Sequence, residues 1–288
     1  MHAIGYAAQL PQNPTPMRDT TRDHARFEEQ QVPGRRLPVS LGTLMLPARA
    51  RPTMLIMHFH SSPWLVEYCA QKKFPTAAVL TVNLGAGSET YKEPFVDPTR
   101  FSKLIEEAEK AAGTPFRTIV VSSFSAGYGA VREILREKAN YPRITSIVLA
   151  DSLYAGYGHE AEDLGPFLAY LQAGKRLVMT HSELYPGTYA ATFETAEWLL
   201  AKMGIKRKAI LKWGPVGMQQ LSEASKGGFI VWGFAGNSAD DHVDHLYGFD
   251  QWYSLALPSP PPPAPKPKSA KPAKPAVKKA PPLAPVKT

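Results

Sequence analysis

The stretch Thr118–Arg136, TIVVSSFSAGYGAVREILR, decides how the rest of the chain is read. It opens on a β-branched apolar block without alternation, the pattern of a strand buried on both faces of a parallel sheet. It then passes directly into a helix-like pattern, with Ser123-Phe124-Ser125-Ala126-Gly127 at the join. A strand-to-helix turn this tight forces its central residue into a strained backbone conformation and lifts the Ser125 Oγ above the sheet edge. The residues two before and two after must be small to avoid neighbouring backbone, and Ser123 and Gly127 are. Ala126 and Gly129 ease the helix against the sheet. The first N–H groups of that helix, with its dipole, then face anything bound to Ser125, which suits a developing oxyanion.

Outward from this bend, strands and helices alternate. Strands are expected at 41–46, 53–59 (TMLIMHF), 77–83 (AAVLTVN), 117–123, 144–150, 175–180 and 228–234. Helices are expected at 63–73, from Asp97-Pro98 to Gly113, and at 126–138, 164–173, 188–203 and 242–255. Continuous apolar strands that are each followed by a helix imply an α/β fold, a three-layer α/β/α sandwich around a mostly parallel sheet. The expected organisation is an irregular N-terminal arm (1–36), this domain (37–257) and a Pro/Lys/Ala-rich tail (258–288).

The formal charge of the 288 residues is +8, but the tail holds seven lysines (266, 268, 271, 274, 278, 279, 287) and no acid. Removing them leaves +1 for residues 1–257, so the pI says little about the substrate. The tail also has 12 of the 28 prolines and is expected to be disordered with polyproline II character. It is either a basic arm for an anionic partner (nucleic acid, a membrane surface, a cell-wall polymer) or a solvated spacer. Cys69 is the only cysteine, which rules out an intrachain disulfide. No apolar run reaches the roughly 20 residues of a membrane span. The start lacks a basic n-region, so no signal peptide is expected; the default compartment is cytoplasmic, or exported if the true N-terminus is longer.

Ser123–Gly127, set between strand and helix, resembles the nucleophile elbow of the α/β-hydrolase superfamily, with Ser123 where glycine is usual. The resemblance covers roughly Leu41 to Leu255 and implies a serine hydrolase that acts on a small-molecule ester or acyl substrate without a cofactor. Ser125 would be the nucleophile and a histidine after the last strand the base. In that loop, GFAGNSADDHVDHLYGF, His242 is preferred and His245 is the alternative. For the orienting acid the resemblance favours Glu183, after the second strand beyond the elbow. Asp151, after the first, is the alternative. His181, beside Glu183, reads as a strand-end histidine. The second half of an oxyanion hole is expected from the loop MLIMHFHSSPW: the N–H of Ser61 or Ser62 would pair with that of Ala126, and His60 would brace the loop. NLGAGSETY (83–91) is expected to wall the pocket, and Trp64, Tyr154, Tyr157 and Tyr185 to line it.

Two other readings compete. His58 and His60, an H-x-H at a strand end, could hold a metal with His181, His242 and Asp241, and His242 and His245 could chelate on a helix. Alternatively, the fold binds a partner without catalysis and the tail is the working element. Oligomeric state is open.

Overall fold

A computed structural model describes residues 23–48 and 51–257. The N-terminal 22 residues and the Pro/Lys-rich segment 258–288 lie outside the described residues, and with them the expectation about the tail.

In chain order the strands are β1 (Gly34–Pro38), β2 (Thr43–Pro47), β3 (Met54–Phe59), β4 (Ala78–Val82), β5 (Thr118–Phe124), β6 (Ser146–Ala150), β7 (Arg176–His181), β8 (Lys208–Trp213), β9 (Gln219–Lys226) and β10 (Phe229–Phe234). They form one sheet in the order β1-β2-β4-β3-β5-β6-β7-β10-β9-β8. From β4 through β10 every pairing is parallel. The outer strands β1 and β2 on one side, and β9 and β8 on the other, join antiparallel. The central strands are the apolar blocks of the sequence because helices cover both of their faces.

The helices are α1 (Pro63–Lys73), α2 (Ser88–Lys92), α3 (Arg100–Ala112), α4 (Tyr128–Arg136), α5 (Glu160–Gln172), α6 (Thr192–Met203), α7 (Ala239–Tyr247) and α8 (Phe249–Ala256). On one face Leu65, Val66 and Cys69 of α1 meet Phe249, Trp252 and Tyr253 of α8 over Ile56, Val120 and Val148. On the other, α3 to α6 bury Leu104, Ile134, Phe167 and Leu199 over Met57, Val121 and Leu149. Each such side chain contributes about 1.5–3 kcal/mol on burial. Gly113 caps α3 with φ 67°, as expected for its C-terminal residue. None of the helices among the described residues is long and apolar enough to cross a membrane.

The strand order reverses between β3 and β5, since β3 runs outward to β4 and the chain returns to β5 on its other side. Such a switch point opens a crevice at the carboxyl ends of the strands. Register brings those ends level: Phe59 pairs with Ser123, Phe124 with Ala150, and Ala150 with Thr180. The residue following each of β3, β5 and β6 is therefore at the same edge, and each has a positive φ without being glycine: His60 (72°), Ser125 (45°) and Asp151 (42°). Such conformations cost on the order of 1–3 kcal/mol each and cluster at functional sites.

Several elements escape the sequence pattern. β1 spans the expected boundary at residue 36, and β8, β9 and α2 are additional. The last helical segment starts at Ala239 rather than at His242, because Ser238 caps it: its Oγ accepts from the Asp241 N–H while Asp241 accepts from the Ser238 N–H. It is also broken at Gly248 into α7 and α8.

Candidate active site

The elbow is the tight turn that its small residues require. A Cβ on Gly127 would lie 2.3 Å from the Phe59 carbonyl oxygen, and one on Gly129 would lie 2.1 Å from that of Ser88. The start of α4 thus presses against both the end of β3 and the 83–91 segment. Ser123, where a glycine would leave space, makes a specific contact. Its Oγ is 2.8 Å from Ser152 Oγ, which donates to the Ser125 carbonyl at 2.8 Å. Ser152 has one hydroxyl proton and gives it to Ser125, so Ser123 is the donor in the first bond. Both serines are fully buried. Two neutral hydrogen bonds, each worth about 1 kcal/mol net, pin the strained residue from behind.

Ser125, Ala126 and His242 line a common cleft of about 670 Å³. His242 Nδ1 is 2.7 Å from Asp151 Oδ2. The Asp151 carboxylate has no solvent exposure and also accepts from Ser182 N–H (3.0 Å), Ser182 Oγ (2.6 Å) and Thr192 Oγ1. Burial works to raise its pKa; the imidazoles of His245 and His242 and the hydrogen bonds from His242 and Ser182 oppose this and hold it well below the usual carboxylate range. His245 is itself pushed down to about 4, chiefly by burial, and is neutral at pH 7. The direct hydrogen bonds therefore act at neutral pH. An ionised Asp151 fixes the proton of His242 on Nδ1 and leaves Nε2 as the basic nitrogen.

Phe124 adds a second restraint on that ring. It stacks on His242 at 4.6 Å between centroids and on His60 at 6.0 Å, so it lies between the two imidazoles. His60 is braced by Tyr91, whose hydroxyl is 2.8 Å from His60 Nδ1 and also accepts from the Leu84 N–H. The His60 N–H is used within the fold, donating to the Val82 carbonyl at 3.0 Å. Ser61 is buried next to it, and Ser62 precedes α1 as its cap residue.

The other sequence candidates lie elsewhere. His245 is fully buried, its Nδ1 2.8 Å from Thr180 Oγ1 and its ring against Phe234. Glu183 is 5 % exposed, and its N–H donates to the Gly236 carbonyl at 2.8 Å; the carboxylate that accepts from His242 Nδ1 is that of Asp151. His181 is fully buried, bonded to the Ser182 carbonyl, and pushed down to about 3 by burial. His58 is enclosed with its Nδ1 on Ser122, whereas the His60 Nδ1 meets the Tyr91 hydroxyl. Among the described residues the three side chains whose ligand atoms converge are His24, Asp241 and Asp244. There Arg26 already donates to Asp244 at 2.7 Å.

The cleft is walled by Gly87, Ser88 and Glu89, from the segment expected to do so, and by Tyr154. Trp64 instead packs edge-on against Phe27 (6.2 Å), and Tyr157 donates to Tyr185 at 3.1 Å outside the lining. Ser152, Ser182, Thr192 and Phe124 had no signal of their own in the sequence. Each matters through a partner brought near by strand register.

No family model matches the chain, and no curated protein does. Solved structures with a similar course of chain include an acetyl xylan esterase from Aspergillus awamori (10 % identity, 72 % of this chain and 93 % of that one, TM-score 0.44). Others are an IroE-like serine hydrolase from Shewanella oneidensis (15 %, 79 % and 82 %, 0.42) and a carboxylesterase from Mesorhizobium loti (14 %, 76 % and 97 %, 0.43).

Proposed function

We propose that the protein is a serine hydrolase of carboxylic esters, with Ser125 as nucleophile, His242 as general base and Asp151 as the acid that orients it. The observation that carries this reading is the 2.7 Å hydrogen bond between His242 Nδ1 and a fully buried Asp151, at the cleft His242 shares with Ser125. A hydroxyl is a weak nucleophile until a base takes its proton, and an imidazole works best when a carboxylate fixes its tautomer.

In this scheme Ser125 Oγ attacks the ester carbonyl carbon as its proton passes to His242 Nε2. The resulting oxyanion is held by the N–H of Ala126 at the start of the helical turn, together with that of Ser61 or Ser62. The tetrahedral species collapses, its C–O bond breaks, and His242 returns the proton to the leaving alkoxide. Water then repeats the sequence on the acyl-serine, with His242 taking its proton, and releases the acid and free Ser125. The chemistry needs no cofactor.

The test is steady-state hydrolysis of p-nitrophenyl acetate by the purified full-length protein and by Asp151→Ala, Glu183→Ala, His242→Ala and His245→Ala. The reading requires loss of turnover in Asp151→Ala and His242→Ala, with the other two retaining it. Loss in Glu183→Ala but not in Asp151→Ala would reassign the acid.

A further inference from the structure

We infer that the ester handled in this cleft is small and rich in hydroxyl groups, a short acyl group on a sugar-like polyol, and not a long-chain lipid ester. The inference rests on the serine hydrolase reading above and extends it to substrate class.

The wall of the cleft is aromatic and polar. Its one aliphatic side chain larger than alanine is Leu184, against three tyrosines, Tyr128, Tyr154 and Tyr189. Their rings succeed one another, with centroids 5.6 Å apart for Tyr128 and Tyr154 and 5.4 Å for Tyr154 and Tyr189. Tyr189 is 42 % exposed, so its ring is accessible to a ligand. The Tyr128 hydroxyl donates to Ser88 Oγ, but those of Tyr154 and Tyr189 have no hydrogen-bond partner among the described residues. Two phenol groups at one cleft thus have donors and acceptors to offer.

The charges at the wall cancel locally. Arg132 donates to Asp163 at 2.7 Å, and Glu89 pairs with Lys92 at 2.9 Å. A charged substrate finds no unopposed counter-ion, whereas neutral hydroxyls find ring faces and polar atoms. The wall is also rigid. Arg132 donates to the Tyr154 carbonyl (2.6 Å) and stacks over the Tyr128 ring, while Asp163 accepts from the Gly156 N–H (2.8 Å). Backbone 154–156 is therefore braced from two sides in advance of any ligand. A long alkyl chain laid here would strip water from both phenols without replacing their hydrogen bonds, an unfavourable exchange. A sugar ring offers its C–H face to a tyrosine ring for dispersion contact and its hydroxyls to the phenols.

The experiment measures kcat/KM for acetate release from 6-O-acetylglucose, whose other hydroxyls are free, and from ethyl acetate, and for p-nitrophenyl octanoate, with the full-length protein, Tyr154→Phe and Tyr189→Ala. We expect the acetylated sugar to exceed ethyl acetate at least about tenfold. Each tyrosine variant should narrow that advantage about fivefold, mainly through KM, as one lost hydrogen bond or ring contact implies. Tyr154→Phe removes only a hydroxyl and keeps the wall intact should Tyr189→Ala disturb it. Equal rates on sugar and ethyl esters, preference for octanoate, or variants that slow all esters alike would overturn the inference while the serine hydrolase reading stands. No hydrolysis of any ester would remove both.

Discussion

Two serines near the end of β5 each lie close to a histidine, Ser122 by His58 inside the fold and Ser125 by His242 at the cleft, and the second is the proposed nucleophile. Ser122 Oγ is 2.8 Å from His58 Nδ1 and 3.1 Å from Tyr253 Oη, and all three residues are fully buried. Three residues on, Ser125 sits past the strand end with φ 45°, at the cleft that His242 shares. The inner pair is in direct hydrogen-bond contact, yet among the described residues it has no carboxylate partner, and it has no opening. Burial pushes His58 down to about 3, and its ring stands edge-on to Phe249 at 4.8 Å. Close approach of a hydroxyl to an imidazole is therefore not by itself the basis of the proposed mechanism. An ionised acid behind the ring and room for a substrate in front distinguish the outer pair.

The comparison can be broken most directly at the two serines. Ser125→Ala is expected to lower ester turnover by about 10⁴-fold or more with the urea midpoint unchanged. Ser122→Ala should do the reverse, keeping turnover near wild type but costing about 1–2 kcal/mol of stability, because His58 and Tyr253 lose a buried partner. Asp151→Asn tests the acid behind the outer ring; it should reduce kcat by about 10³–10⁴-fold by disturbing the His242 tautomer. The fourth change is smaller: Ser152→Ala removes the bond to the Ser125 carbonyl and should lower kcat about tenfold. Ser152→Thr, which keeps the hydroxyl, should restore part of kcat, whereas a merely structural role would move only the thermal midpoint.

The inner histidines give the comparison a pH signature. His58, His181 and His245 are fully buried, with pKa values lowered to about 3, 3 and 4 from an ordinary 6.5. Their unfolded forms take up a proton as pH falls below 6.5, while their folded forms resist it. The stability they contribute is thus intact above pH 6.5 and declines as pH drops toward 4, by on the order of 2–3 kcal/mol for each histidine at pH 4. Urea denaturation at pH 7.5, 5.5 and 4.5 should show that decline, and His245→Gln should flatten it.

Much of the fold was legible because its central strands are covered on both faces. TIVVSS, SIVLA and RLVMT read as apolar runs, and the helices between them follow. The far edge was not. β8, KAILKW, is exposed along most of its length despite its apolar residues, and β9, QQLSEASK, buries Gln219, Gln220 and Ser222, so β9 lacks the composition of a buried strand. At the site, the bend at Ser125 was legible from residue size alone. Which acid meets which histidine was not, since that depends on the register of β5, β6 and β7 and on a backbone conformation at Asp151 that few non-glycine residues adopt. The capping box at Ser238 and Asp241, by contrast, was in the sequence and would have set the start of α7 one turn earlier. Serine at 123, where glycine is usual, has a hydrogen-bonding role through Ser152 that only the register of β5 and β6 reveals.

In the proposed mechanism Ser125 is the one serine that is chemically activated. The most direct test is to treat the native full-length protein with a fluorophosphonate and locate the adduct by peptide mass spectrometry, with Asp151→Asn in parallel. A single adduct is expected on Ser125, forming far more slowly in Asp151→Asn. An adduct on another serine, or none in a folded protein that still hydrolyses esters, would contradict that mechanism.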